Sequence, residues 1–152
     1  MSPNLSANIN PWLVAGAVLS AIAAVLHVAI VVGGAAWYRF FGAGEDFARM
    51  AEAGRWLPNL VTMGIAAVLL LWSAYALAGA LCSAGLQPMA LPWLRPALCL
   101  ITAIYLLRGL ALLPLWLLRP AQVDAFTLWS SVICLGYGLV HLVGLLQTWE
   151  RL

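Results

Sequence analysis

The residue of this chain best placed to do chemistry is an arginine inside a long apolar run. Arg108 lies in the stretch 93–118, which contains no acidic residue. A guanidinium cannot lose its proton to escape a low-dielectric medium, and near a bilayer centre it costs at least ~2.5–3.5 kcal/mol. It therefore requires an internal partner, water or a bound anion. Its paired N–H donors are suited to a carboxylate or a phosphate.

Further polar side chains are expected near the depth of this arginine. On helices that rise 1.5 Å per residue, Arg108 lies ~4 Å past the middle of its span and His27 ~6 Å past the middle of the first. Asn59 and Thr62 enter from the same side. The sequence therefore predicts an intramembrane pocket made of Arg108, His27, Asn59, Thr62 and Tyr105. In the alternative interpretation, Arg108 only bonds helix-end carbonyls or a carboxylate and holds the helices together.

Three of the five acidic residues lie together in the stretch 37–56. Gly44 followed by Glu45 and Asp46 is typical of a helix start, with acids at the positive end of the helix dipole. The i, i+4 spacing of Glu45 and Arg49 supports a helix. We expect a short amphipathic helix on the membrane surface or in the mouth of a bundle. Its charged residues are expected to act as the gate or counter-ions of the pocket, and these are Glu45, Asp46, Glu52 and Arg49.

A second polar layer is expected in the other half of the membrane, where His141 lies on the last apolar run. Small and polar residues recur on the apolar runs at helical spacings, which indicates inward faces. The members of this predicted layer are His141, Tyr137, Ser20, Ser73 and Tyr75. Such stripes also serve helix packing alone, and packing is the simpler interpretation of each one.

No metal site or other cofactor is predicted. His27 and His141 differ in depth by roughly 10 Å on ideal helices, and no carboxylate lies in either span to complete a shared site. The cysteines have no CxxC or other ligand spacing and are expected to be structural. Phosphate-binding loops, dinucleotide fingerprints, zinc-protease motifs and a Ser-His-Asp grouping do not occur in the sequence.

Four apolar segments must position these side chains, and each is long enough to cross ~30 Å of hydrocarbon. They cover residues 11–34, 57–81, 93–118 and 126–148. The connections after the second and third segments are short and rich in breakers, so neighbouring spans are expected to be antiparallel. The predicted fold class is all-α, a four-transmembrane-helix bundle with a short amphipathic helix at about 37–56. Residues 1–152 are expected to form one integral membrane domain.

Composition supports this class and excludes others. The chain is 65% hydrophobic and 8% charged, against about a quarter charged in soluble domains. Its net charge of +2 is too weak for a nucleic-acid surface. The cationic side chains, histidines apart, are all arginines, and with abundant Ala, Leu and Gly this composition indicates a GC-rich bacterial genome. Arginines are more frequent in the first and third connections than on the other side, which favours termini outside the cytoplasm.

The stretch around His27, Tyr38 to Glu45 and Met50, with the later Tyr105-Leu-Leu-Arg108-Gly109, resembles small uncharacterised four-helix inner-membrane proteins of Proteobacteria. That resemblance implies a fold and a compartment but no activity. In size and span count the chain is also similar to DoxX-type proteins and to the sterol-isomerase/sigma-2 receptor group. The latter group places acids within its membrane spans, whereas this chain has none there, which argues against the same chemistry.

Three functions follow as hypotheses. The first is binding or transfer of an amphipathic, anionic lipid-like ligand, with membrane lipids as partners and Arg108 on the headgroup. The second is an enzyme that modifies a lipid or quinone, with His27 and Glu45 or Asp46 in acid–base roles. The third is a structural or accessory subunit of a membrane complex, or a homo-oligomer. Close helix contacts with such a partner are expected at Gly136, Gly138 and Gly144.

Overall fold

A computed structural model describes residues 8–86 and 91–152, apart from the side chain of Gln122. Four of its helices are long and apolar enough to cross a membrane, so the chain is a multi-pass membrane protein. The predicted all-α fold, with a short helix between the first and second spans, is confirmed. The α-helices are α1 Pro11–Phe40, α2 Glu45–Glu52, α3 Leu57–Cys82, α4 Leu94–Leu110, α5 Leu112–Leu118 and α6 Ala125–Thr148.

Helix α1 is longer than its apolar run because the chain bends and continues. It begins at Pro11, and the Asn10 side chain accepts a hydrogen bond from the Leu13 N–H at 2.9 Å. Gly34 interrupts the helix with φ 64° and ψ −150°, a conformation that glycine adopts without a Cβ clash. The predicted end of the first span at residue 34 therefore marks a kink, after which helical structure continues to Phe40.

The third span is interrupted at Ala111, where α4 passes into α5. Pro114 has no N–H to donate to the preceding turn, and a proline inside a helix is a common cause of a kink. The next bond, from the Leu115 N–H to the Ala111 carbonyl, is long at 3.4 Å. None of the residues of α5 is buried. Arg108 thus lies on the last turn of the part of this span that packs into the bundle.

The bundle consists of two closely packed helix pairs. Helix α1 packs along α3 and α4 packs along α6, whereas α3 and α4 contact each other much less. Tight packing of the second pair depends on glycines, because a Cβ at Gly109 would lie 2.7 Å from the backbone of Leu135. The main core cluster joins both pairs and contains Leu13, Ala17, Ala24, Leu69, Ala76, Ala80, Leu98, Ile101, Tyr105 and Leu145.

Two of the three glycines predicted to face a partner protein are instead used inside the bundle. A Cβ at Gly138 would lie 2.7 Å from Leu106, and one at Gly144 would lie 2.7 Å from Leu13. Gly136 is exposed and has no neighbour within 4 Å of an added Cβ among the described residues. Gly136 and Gly138 are two residues apart and therefore lie on nearly opposite faces of α6, and the face that carries Gly138 is the one that meets a neighbouring helix.

We predict that Gly109→Ala destabilises the bundle by about 1–3 kcal/mol, because the added methyl group meets backbone atoms that cannot move aside. Thermal unfolding of the detergent-solubilised protein, followed by circular dichroism, measures this as a lower midpoint. Gly64→Ala is the matched control on α3, since its Cβ would enter open space. Equal midpoints for the two variants would contradict the assigned contact between α4 and α6.

Candidate functional site

The Arg108 side chain is held by two hydroxyl groups at the start of α6. Its Nη1 donates to Ser131 Oγ and its Nη2 donates to Ser130 Oγ, each at 3.1 Å. Ser131 is 1% exposed, whereas Arg108 itself is exposed at the surface of the bundle. A guanidinium has five N–H donors, and these two bonds are the ones that the described part of the chain provides. Most of its donor capacity is therefore directed away from the protein.

The guanidinium of Arg108 lies nearer to the side of the first connection than the backbone of the same residue does. Because Gly109 lies against Leu135, the backbone of Arg108 is level with a point on α6 about one residue beyond Leu135. The two serines that bind the guanidinium lie five or six residues nearer the start of α6, which is about 8 Å at 1.5 Å per residue. The side chain thus runs along the bundle towards the membrane surface on the side of the first connection, as arginines do in lipid.

An open groove of about 560 Å³ lies beside this guanidinium, at the loosely packed seam between α3 and α4. Helix α3 forms one wall, from Val61 to Trp72, and α4 contributes Tyr105 and Arg108. Cys134 of α6 reaches the groove as well. The lining is almost wholly apolar, so the groove offers a hydrocarbon-like channel with one cation at its edge.

Tyr105 is the residue of the predicted pocket that the structure places in this groove with Arg108. The other three residues of the predicted pocket, His27, Asn59 and Thr62, do not line the groove. The ring Nδ1 of His27 lies 2.7 Å from the carbonyl of Ala23 on its own helix. Asn59 accepts a hydrogen bond from the Tyr38 hydroxyl at 3.1 Å, and Thr62 is a buried packing residue at 6% exposure. Similar depth did not bring these residues together, since none of the three lines the groove.

The predicted gate residues form a separate charged cluster on the membrane surface. Arg39, at the end of α1, donates to Glu45 at 2.9 Å and to Glu52 at 2.7 Å. Arg49 lies 3.4 Å from Glu45, and Asp46 is exposed. Among the described ion pairs, none joins these carboxylates to Arg108. Glu45 and Glu52, which were expected to be counter-ions of Arg108, therefore form their ion pairs with Arg39 and Arg49.

Helix α2 lies against the end of α1 through its apolar face. Ala48 is fully buried and Tyr38 is 1% exposed, and the ring of Tyr38 meets the ring of Phe47 at a centroid distance of 6.3 Å. Ile30 completes this small core. The expected amphipathic helix is thus fixed to the bundle by both a buried face and the Arg39 ion pairs.

Three members of the predicted second polar layer, Ser20, Tyr137 and His141, form a cluster around Tyr105. The Tyr105 hydroxyl lies 3.0 Å from Ser20 Oγ, and its ring contacts those of Tyr137, His141 and Trp72 at centroid distances of 5.5, 5.2 and 5.1 Å. Tyr105 therefore connects the groove to the layer that the sequence placed in the other half of the membrane. The two remaining members lie apart from this cluster. Ser73 donates to the Ala17 carbonyl and Tyr75 to the Pro92 carbonyl.

His141 is fully buried in this cluster and packs against Gly16. Its Nδ1 lies 2.8 Å from the Tyr137 carbonyl, which requires a proton on that nitrogen. The other ring nitrogen has no hydrogen-bond partner within the part of the chain that the structure describes. The close packing against Gly16 leaves no room beside this nitrogen for a bulky ligand.

Sequence reasoning missed the two serines that bind Arg108 and the α3 wall of the groove. Ser130 was visible as part of a polar stripe on α6, but its bond to Arg108 depends on an offset of about 8 Å along the helices. Within the described ranges, 8–86 and 91–152, no cluster of His, Cys, Asp and Glu is arranged to hold a metal ion. No protein-family model, curated protein or solved structure matches this chain.

We predict that the docking of α2 is insensitive to pH from 7 to about 5 and weakens in strong acid. The Arg39 guanidinium lowers the pKa of Glu45 from its ordinary value of 4.5 to about 2, and it also lowers the pKa of Glu52. A lowered pKa means that the stabilisation is complete above pH 4.5 and is lost as the pH falls through about 2.

Hydrogen-exchange protection of the α2 amides, referenced to intrinsic rates at each pH, measures this loss. In Arg39→Gln the protection is expected to be lower at neutral pH and to change little on acidification. Protection that falls between pH 7 and 5 in the wild-type chain would mean that another group controls α2.

Proposed function

We propose that this chain is a small bacterial inner-membrane protein that binds or transfers an amphipathic, anionic lipid-like ligand. The observation that carries the proposal is the position of Arg108 at an apolar groove with most of its N–H donors unused by the described residues. Its partners are membrane lipids, and the weak excess of arginine in the first and third connections favours an orientation with both termini outside the cytoplasm.

Charge supports an anionic ligand. Two neutral serine hydroxyls orient the Arg108 guanidinium but leave its charge uncompensated, and Glu45 and Glu52 of α2 pair with Arg39 and Arg49 instead. A cation in a low-dielectric setting gains most from an anion that accepts two parallel N–H bonds. A carboxylate or phosphate supplied from the surrounding membrane provides this pairing.

The groove supports an amphipathic ligand with a hydrocarbon chain. It is open along the seam between α3 and α4, so a lipid enters sideways from the bilayer without first crossing water. The hydrocarbon chains of membrane lipids are as apolar as the groove lining, so the ligand's chain contributes to binding by its fit to the shape of the groove. The ligand's negative charge contributes the selectivity among lipids. Arg108 thus recognises the headgroup, and the apolar groove accommodates the hydrocarbon chain.

The competing function is a structural or accessory subunit, in which Arg108 only ties α4 to α6. The two serine bonds favour this alternative, because they join the two helices directly. The enzyme hypothesis has less support, since His27 bonds its own helix and is not bonded to any carboxylate of the described residues. A homo-oligomer or another membrane-protein partner belongs to the same structural alternative.

We predict that Arg108→Ala removes one anionic amphiphile, by about tenfold or more, from the lipids that co-purify with the gently solubilised protein. The loss of a charge-assisted hydrogen bond corresponds to a change of this size. Lipid mass spectrometry on wild type and variant measures it. Arg119→Ala is the matched control, because it removes the same charge from an exposed arginine outside the groove lining.

Two outcomes separate the competing functions. Selective loss in Arg108→Ala, with an unchanged profile in Arg119→Ala, supports a headgroup site. Identical lipid profiles, accompanied by a lower melting temperature for Arg108→Ala, would make the arginine a structural bond between α4 and α6 and would refute lipid binding at this site.

A further inference from the structure

We propose that the ligand of the Arg108 groove is a long-chain fatty acid, with its carboxylate on Arg108 and its single hydrocarbon chain along α3. This inference rests on the proposed function and adds the chemical class of the ligand. It depends on three features of the groove, namely its polar groups, its length and its volume.

The polar groups of the groove fit a compact headgroup with one charge. Arg108 is the charged side chain of the lining, and the others able to form polar contacts are Tyr105, the Cys134 thiol and the indole N–H of Trp72. The Tyr105 hydroxyl already bonds Ser20. A glycerol or sugar headgroup brings hydroxyls that lose water without gaining partners here, and such losses are costly. A carboxylate brings two oxygens, which match the fork of one guanidinium.

The length of the groove fits a chain confined to one leaflet. Along α3 it extends from Val61 to Trp72, which is about 16 Å at 1.5 Å per residue. This is roughly half of the ~30 Å hydrocarbon core. The Arg108 guanidinium is displaced towards the first connection, which is also the end where α3 begins with Val61 among its early residues. The carboxylate therefore lies near the surface end, and the methyl end points to the bilayer centre.

Two aromatic rings close the inner end of the groove. Trp72 meets the ring of Tyr105 edge-on at 5.1 Å, and Tyr105 is 5% exposed. The bond to Ser20 and the stacking on His141 hold Tyr105 in place. This pair forms a floor against which the end of a chain stops.

The volume of the groove fits one chain. At about 560 Å³ it lies within the ~300–1,000 Å³ range of sites that hold one small molecule. A diacyl phospholipid carries a second chain and a larger headgroup, neither of which has a matching surface in the described groove. A single-chain carboxylate fills the space and pairs the charge.

The test is photolabelling of the purified full-length chain with palmitic acid that carries a diazirine near its methyl end. We expect the label on peptides that contain Leu69, Trp72 or Tyr105, whereas a diazirine near the carboxyl end is expected to label Val61 or Ile65. Unlabelled palmitate is expected to compete, and hexadecanol, its neutral counterpart, to require about tenfold more. Labelling is expected to fall about tenfold in Arg108→Ala and to persist in Arg119→Ala.

Competition in the wild-type chain keeps the test decisive if Arg108→Ala does not fold. Phosphatidic acid that competes better than palmitate would overturn the fatty-acid inference and leave the proposed function standing. Hexadecanol that competes as well as palmitate would refute both, because charge would then play no part. Labels spread over the outer faces of the helices, without competition, would show partition into the detergent micelle and would overturn the inference.

Discussion

The positive charge of Arg108, which is paired with no acidic side chain of the described residues, is the constraint on which the rest of this structure depends. Arg108 cannot discharge, so its side chain extends about 8 Å along the bundle to two serine hydroxyls. Those hydroxyls are within reach because α4 and α6 approach each other at Gly109, where any larger residue would meet the Leu135 backbone. The helix is interrupted at Ala111 soon afterwards, and none of the residues of α5 beyond it is buried. The Arg108 side chain is exposed at the edge of the bundle.

Tight packing of α1 on α3 and of α4 on α6 has a consequence for the seam between the pairs. Glycines also join the two pairs, as Gly144 meets Leu13 and Gly79 meets Leu98, but α3 and α4 contact each other much less than the helices within each pair do, and a groove runs between them. Tyr105 closes its inner end and joins the core of both pairs through Ser20 and His141. The surface charges form an independent system at the end of α1, where Arg39 pairs with Glu45 and Glu52. Arg108 takes no part in the described ion pairs.

Hydrophobicity and length were sufficient to predict the four spans and the short helix between the first two, because membrane crossing depends on little else. The need of Arg108 for polar partners also followed from its chemistry. The identity of those partners did not, because helical rise gives the depth of a backbone position, whereas a long side chain displaces its charge by several residues. His27 and Asn59 were expected at a similar depth to Arg108, but neither lines the groove, and each bonds a different part of the chain. The pairing of Glu45 and Glu52 with Arg39 was not predicted, although Arg39 is near them in sequence.

The most direct measurement is a crystal structure of the protein grown from a lipidic mesophase containing an anionic single-chain amphiphile. We expect density that begins at an oxygen within hydrogen-bond distance of Arg108 and continues between α3 and α4 to Trp72, with the Ser130 and Ser131 bonds retained. A seam closed by the protein's own side chains, with the remaining N–H groups of Arg108 bonded to its own carbonyl groups, would contradict it.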